Sequence, residues 1–125
     1  MSYITIQKAR LDLATGELYA GSVHSKTEAP SYHLVLLPNI PDKRLTWNEA
    51  VEWAKTTGGQ LPTLREQSLL FTNLKEEFKG DWYWSGDQPE DDSNFVWGQY
   101  FNNGSQWFNT KKKLGGARVV RRIPI

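Results

Sequence analysis

Apolar residues recur at helical spacing in two adjacent windows of the chain. Trp47, Ala50, Val51 and Ala54 mark one face of the first window. Leu70, Leu74 and Phe78 lie four apart in the second, with Leu69 and Phe71 beside them. Each window opens on the same signal. Thr46 precedes Glu49 by three positions, as Thr63 precedes Glu66, so each pair can close a capping box. Gly58-Gly59 stops the first helix, because glycine takes the left-handed C′ position without strain. Gln60-Leu61 is then extended, since the residue before Pro62 is pushed out of the helical region. The second helix is expected to end at Gly80. Elsewhere the period drops to two, or to short apolar runs. Strands are predicted over residues 2–7, 17–23, 32–37, 82–84, 95–101, 106–108 and 117–123. Asn103-Gly104 predicts a type I′ hairpin turn, in which both residues take positive φ. Residues 24–31, 39–44, 86–94 and 111–116 are polar or turn-rich and read as loops. The pattern describes one α+β domain, two short helices packed on small antiparallel sheets.

Bulk properties narrow the class. A length of 125 residues suits a single domain. Six tryptophans and 38% hydrophobic residues indicate a packed core. A net charge of +1 gives no overall drive toward nucleic acid or membrane. No apolar run approaches the ~20 residues that span a bilayer, and the N-terminus lacks a signal-peptide core. There is no cysteine, which excludes disulfides and thiol catalysis.

Trp47, Glu49-Ala50, Gly58-Gly59-Gln60-Leu61-Pro62, Glu66 and Tyr83-Trp84-Ser85-Gly86 stand in an order that resembles the front half of a C-type-lectin-like domain. The chain is more similar still to the DUF1566 family of bacterial and phage proteins. The likeness lies in Leu61-Pro62-Thr63-x-x-Glu66, in Tyr83-Trp84-Ser85 and in the Arg-rich close around Ala117-Arg118-Val119-Val120-Arg121-Arg122. It covers residues 34–123, leaving residues 1–33 as N-terminal strands and loop. It implies a lectin-like fold, a phage, prophage or bacterial origin, and a cytoplasmic or virion-associated place without a signal peptide. Most secreted animal lectin domains carry disulfides, and this chain does not.

Three surfaces carry candidate chemistry. Asp87, Glu90, Asp91, Asp92 and Asn94 put several oxygens within eight residues, as a hard cation such as Ca²⁺ requires. Gln88-Pro89-Glu90 is also similar to the tripeptide by which calcium-dependent lectins hold calcium and sugar. The second half of that signature is matched only by Trp107-Phe108-Asn109. No spacing fits an EF-hand, so a solvated charged loop is the preferred reading and no metal or cofactor is assigned. The aromatics form the second surface. Trp82, Trp84, Trp97, Tyr100, Trp107 and Phe108 can stack on sugars, bases or a partner. Trp84 and Trp97 are expected in the core. Trp107 and Phe108 should point to opposite faces, with Trp107 exposed near Lys111, Lys112 and Lys113. The third is the basic end, where Arg118, Arg121 and Arg122 join those lysines. It suits a sulfated glycan, nucleic acid or an acidic protein face, or it simply forms ion pairs on a strand. Some collagen-like bacterial adhesins carry a related domain thought to bind sulfated glycans.

No catalytic residue emerges. There is no nucleophile elbow and no phosphate loop, and His24 and His33 lack the carboxylate spacing of a zinc site. The expected function is a non-enzymatic binding module that recognises a glycan or a protein through loops 86–94, 102–105 and 111–116. Its ligand residues are Trp107, Lys111, Lys112, Lys113, Arg118, Asp87, Gln88, Glu90 and Asn103. A structural, oligomeric tail or fibre component is one alternative, with the N-terminal strands serving assembly. An intracellular anti-defence or nucleic-acid-binding factor using the basic end is another. No membrane partner is expected.

Overall fold

The two capping boxes form as the spacing predicts. In a computed structural model, which describes residues 2–3, 8, 10–24, 30–89 and 94–125, Thr46 leads helix α1, Trp47–Thr57. Its hydroxyl accepts from the Glu49 N–H at 3.4 Å, and Glu49 Oε1 accepts from the Thr46 N–H at 2.9 Å. Thr63 and Glu66 repeat the arrangement at the start of α2, Leu64–Leu74, at 3.1 and 2.9 Å. Gly58 ends α1 with φ 81°. Nothing lies within 4 Å of a Cβ placed there. Gly58→Ala is therefore expected to cost about 1 kcal/mol through backbone strain alone, measurable as a shift in urea midpoint with unchanged slope.

Helix α2 stops earlier than Gly80. Leu74 leaves helical geometry with φ −134°, a 3₁₀ turn follows at Lys75–Glu77, and Phe78 is extended. Packing outweighs the four-residue spacing here. Phe78 lies flat on Phe101, with centroids 4.0 Å apart, and edge-on to Tyr83 at 5.0 Å.

The first sheet joins the early and late parts of the chain. Strands β1, Leu18–Val23, β2, Tyr32–Leu36, and β6, Val120–Pro124, pair antiparallel in the order β1-β2-β6. A bulge at Ala20 shifts the β1 register between Tyr19 and Gly21. Gly21 has φ +125°, and the freed Ala20 carbonyl accepts from Asn73 Nδ2 of α2 at 2.7 Å. The strand expected over residues 2–7 falls mostly outside the described residues, so its assembly role is not addressed by the fold.

The second sheet holds β3, Trp82–Trp84, β4, Phe95–Tyr100, and β5, Gln106–Thr110, in the order β3-β4-β5. The hairpin between β4 and β5 is wider than a type I′ turn. Gly104 has φ 81°, but no described non-glycine residue has positive φ, so Asn103 does not. Residues 101–104 are looped out between Tyr100 and Ser105, and the Gly104 N–H donates to the Tyr100 carbonyl at 2.8 Å. The cause is Phe101, only 1% exposed, which is drawn into the core instead of the ladder.

Strand β3 separates two hydrophobic clusters. Trp82 and Trp84 face one, with Leu37, Leu61, Val96 and Val119. Tyr83 faces the other, with Leu34, Leu70 and Phe101. Glutamines dock α2 on this sheet. Gln67 Nε2 donates to the Tyr83 carbonyl at 3.1 Å, Gln99 Nε2 to the Gln67 carbonyl at 3.2 Å, and Gln106 Nε2 to the Leu64 carbonyl at 2.7 Å. Among the described residues no helix is long and apolar enough to cross a membrane.

Candidate functional site

The β4–β5 register determines which aromatics share a face. Phe95 pairs with Thr110, Trp97 with Phe108 and Gln99 with Gln106. Helix α2 covers this face at the Gln99–Gln106 end only. Farther along, Phe95, Trp97 and Phe108 stay half-buried. Their rings meet edge to face, with centroids 5.3 Å apart for Phe95 and Phe108 and 5.2 Å for Trp97 and Phe108. Trp97 is thus not the core residue expected of it, whereas Trp84 is fully buried.

Trp107 is 58% exposed. It is exposed as expected, while Phe108, on the opposite face by register, is half-buried. Register puts Trp107 opposite Gly98, on the face that carries Trp82 and Trp84. That face is full, since a Cβ on Gly98 would sit 2.4 Å from the Trp82 ring. The Trp107 ring instead stacks on Phe108, with centroids 4.9 Å apart and planes 16° apart. It lies edge to face with Trp97 at 6.2 Å. Four rings therefore form one continuous aromatic surface along the edge strand of the sheet.

The three expected binding loops do not converge. Antiparallel pairing places residues 85–89, Asn94 and residues 111–116 at one end of the second sheet. The hairpin 101–105 is at the other end, a strand length of about 15–20 Å away. The first two do meet, as the Lys111 N–H donates to the Asn94 carbonyl at 3.1 Å. Asn103 is exposed at the far tip, where its side chain accepts from the Ser105 N–H at 2.9 Å and shapes the turn. Lys111 has an aromatic partner other than Trp107. Its ammonium lies over the Trp47 ring at 4.8 Å, a cation–π contact. Lys112 is exposed and Lys113 half-buried.

The acidic loop is described only in part. Glu90, Asp91 and Asp92 lie outside the described residues. Gln88 is exposed. Asp87 has a structural use, since its carboxylate accepts from the Leu64 N–H at the start of α2 at 2.8 Å and its carbonyl accepts from the Trp97 N–H at 2.9 Å. A carboxylate at a helix N-terminus also complements the helix dipole. Among the described residues, no three His, Cys, Asp or Glu side chains gather to hold a metal ion.

The basic end is largely consumed by the fold. Arg121 forms two hydrogen bonds with Glu17, both 2.8 Å. Arg122 grips Glu66 through Nε and Nη2 at 2.7 and 2.8 Å and also reaches Gln60. Arg118 is only 5% exposed. It is not an open surface contact, because it donates to the carbonyls of Glu77 and Leu37 at 2.6 and 3.0 Å. His33 bonds Tyr19 through Nδ1 at 2.9 Å.

Of the aromatic surface, sequence reasoning found Trp107 and Phe108, put Trp97 in the core and omitted Phe95. The signal was present in the matched alternation of Phe95-x-Trp97 and Phe108. What it lacked was where α2 stops covering the sheet. A groove of about 640 Å³ was also not anticipated. Trp47, Val51, Ala54 and Leu61 line it with Asp87 and Arg122, so residues of the 86–94 segment and of α1 meet there. Compared with known proteins, the chain matches no family model and no curated protein.

Proposed function

We propose that this chain is a non-enzymatic binding module of C-type-lectin-like, DUF1566-type architecture whose ligand, a glycan or a protein, packs on the Phe95–Trp97–Trp107–Phe108 surface. One observation carries the reading. Trp107 is a large flat ring left in solvent on an edge strand and held in orientation by a second ring. Leaving so much apolar area in water is unfavourable, and a rigid aromatic surface loses little entropy when a ligand covers it. The fold assignment is supported by the pairing of β2 with β6, which closes early chain on late chain, and by two capped helices preceding a separate three-stranded sheet.

A second reading, an oligomeric structural component, is favoured by β5 itself. Among the described residues it is the terminal strand of its sheet, with strand pairing on one side of its backbone only. The nucleic-acid reading receives less support, because Arg118, Arg121 and Arg122 all have internal partners.

Trp107→Ala separates these readings from a structural role. Its thermal stability should change by less than ~1 kcal/mol, as for surface substitutions. Capture of glycans from an array, or of a protein partner, should fall about tenfold, equivalent to ~1.4 kcal/mol. A loss of several kcal/mol in stability, or undiminished capture, would remove Trp107 from the site. Light scattering of the wild type tests the second reading, with a stable oligomer expected to dissociate in the same variant.

A further inference from the structure

Two charged residues are buried as a whole among the described residues, Glu66 and Arg118. Their surroundings differ in kind. Glu66 is matched by Arg122. Arg118 has no carboxylate within ion-pair distance among the described residues. Its guanidinium is fixed by two backbone carbonyls and lies over the Phe78 ring, 5.3 Å from the centroid. Its Nε–H is buried and has no hydrogen-bond partner. Burial pushes the guanidinium pKa down, against the pull of Tyr83 and Glu77. A buried cation without a carboxylate in direct contact, and with one N–H left unpaired, is costly and calls for an explanation.

Arg118 also lines a cleft of about 330 Å³. Ile40 and Pro41 give it an apolar side, and Lys43 and Lys79, both exposed, also line it. Asp42, Glu76, Glu77 and Asp81 share the cleft, but all four are exposed, and Asp81 is occupied by Arg44 at 3.3 Å. Water and salt screen exposed charges strongly and a buried one weakly. Arg118 is therefore the charge in the cleft that solvent screens least.

We propose that this cleft binds a compact oxyanion, a carboxylate or a sulfate monoester on a small organic body, with Arg118 as its fixed cation. The anionic group faces the guanidinium, the exposed lysines approach from the solvent side, and the apolar body lies against Ile40 and Pro41. A planar fork of N–H donors suits either oxyanion. The site shares no residue with the aromatic surface and does not depend on it.

The test uses the intact wild-type chain. The Arg118 Nε–H is shielded from water, so its resonance should be visible in a ¹H–¹⁵N spectrum. Titration with benzoate and with methyl sulfate should move it along a saturable one-site curve for at least one of them, and neutral benzamide should leave it in place. Benzoate acting alone identifies a carboxylate ligand, and methyl sulfate acting alone a sulfated one. Lys79→Ala, an exposed position, should weaken that binding several-fold with the fold intact. If neither anion moves the resonance, or benzamide moves it equally, the proposal is wrong. Unchanged affinity in Lys79→Ala would likewise overturn the placement of the anion in this cleft.

Discussion

Glu66→Ala is expected to lower stability by about 3–5 kcal/mol, the cost of breaking a buried ion pair from one side. Glu66 is fully buried at the third position of α2. Its carboxylate accepts two N–H groups from Arg122, the Tyr32 hydroxyl at 2.5 Å and the Thr63 N–H at 2.9 Å. Removing it leaves a half-buried guanidinium and a phenol without their partner, and it opens the capping box. Replacing both ends with apolar groups, Glu66→Leu with Arg122→Met, should recover much of the loss, because no charge then remains stranded. Chemical denaturation of the three proteins checks this. Equal loss in the single and double variants would show that packing, not the ion pair, is at stake.

The same network sets a pH dependence. Burial alone would raise the Glu66 pKa, but the hydrogen bonds from Arg122, Tyr32 and Thr63 prevail and hold it below the ordinary 4.5. The unfolded chain therefore binds the proton more readily. The stabilisation is complete above that ordinary value and is lost as pH falls through the folded one. Tyr32 acts in the opposite sense. Burial and the Glu66 carboxylate push it up from 10.0 to about 12. Its contribution is present below 10 and fades as pH rises toward 12. Unfolding free energy measured against pH should show a plateau that declines at both ends. The acid-side decline should be shallower in Glu66→Gln.

Trp84→Ala is expected to cost about 3–5 kcal/mol, as large-to-small changes in packed cores do. Trp84 is fully buried, donates through Nε1 to the Leu45 carbonyl at 2.8 Å and meets Trp82 edge to face at 5.6 Å. Truncation opens a cavity, while the Leu45 carbonyl keeps the Gly115 N–H as a donor at 2.8 Å. Trp107→Ala is the internal control, the same chemical change on a ring that is 58% exposed. Paired melts should differ by about 10–20 °C in midpoint shift, since each kcal/mol moves the midpoint of a chain this size by roughly 3–6 °C. Similar losses for both would contradict the described burial.

What the sequence disclosed was local. Both capping boxes, the Gly58 stop and the strands around Tyr32, Trp82 and Phe95 follow from residues within a few positions of one another. What it concealed depended on distant partners. Phe78 leaves the helix, and Phe101 the hairpin ladder, because they stack on each other. Trp107 is displaced from its alternation face because Trp82 already fills the space above Gly98. Arg118 lies in a basic run and looks like surface, yet the Leu37 and Glu77 carbonyls draw it inside. The candidate loops were grouped as one surface, although a hairpin at Asn103-Gly104 already separates its tip from loops at the other strand ends. Antiparallel pairing sends the 102–105 tip to the far end.

The three residues of β3 serve as a party wall. Trp82 and Trp84 close one hydrophobic compartment and Tyr83 closes the next, while the Tyr83 and Trp84 carbonyls hold Gln67 of α2. Neither compartment can be dismantled while the other stands, because the wall would have to leave both at once. A strand shared in this way favours all-or-none unfolding, as is usual for single domains of this size. It also leaves the edge strand β5, one hydrogen-bonded step removed from the wall, as the part of the second sheet that can vary in sequence without reopening either compartment.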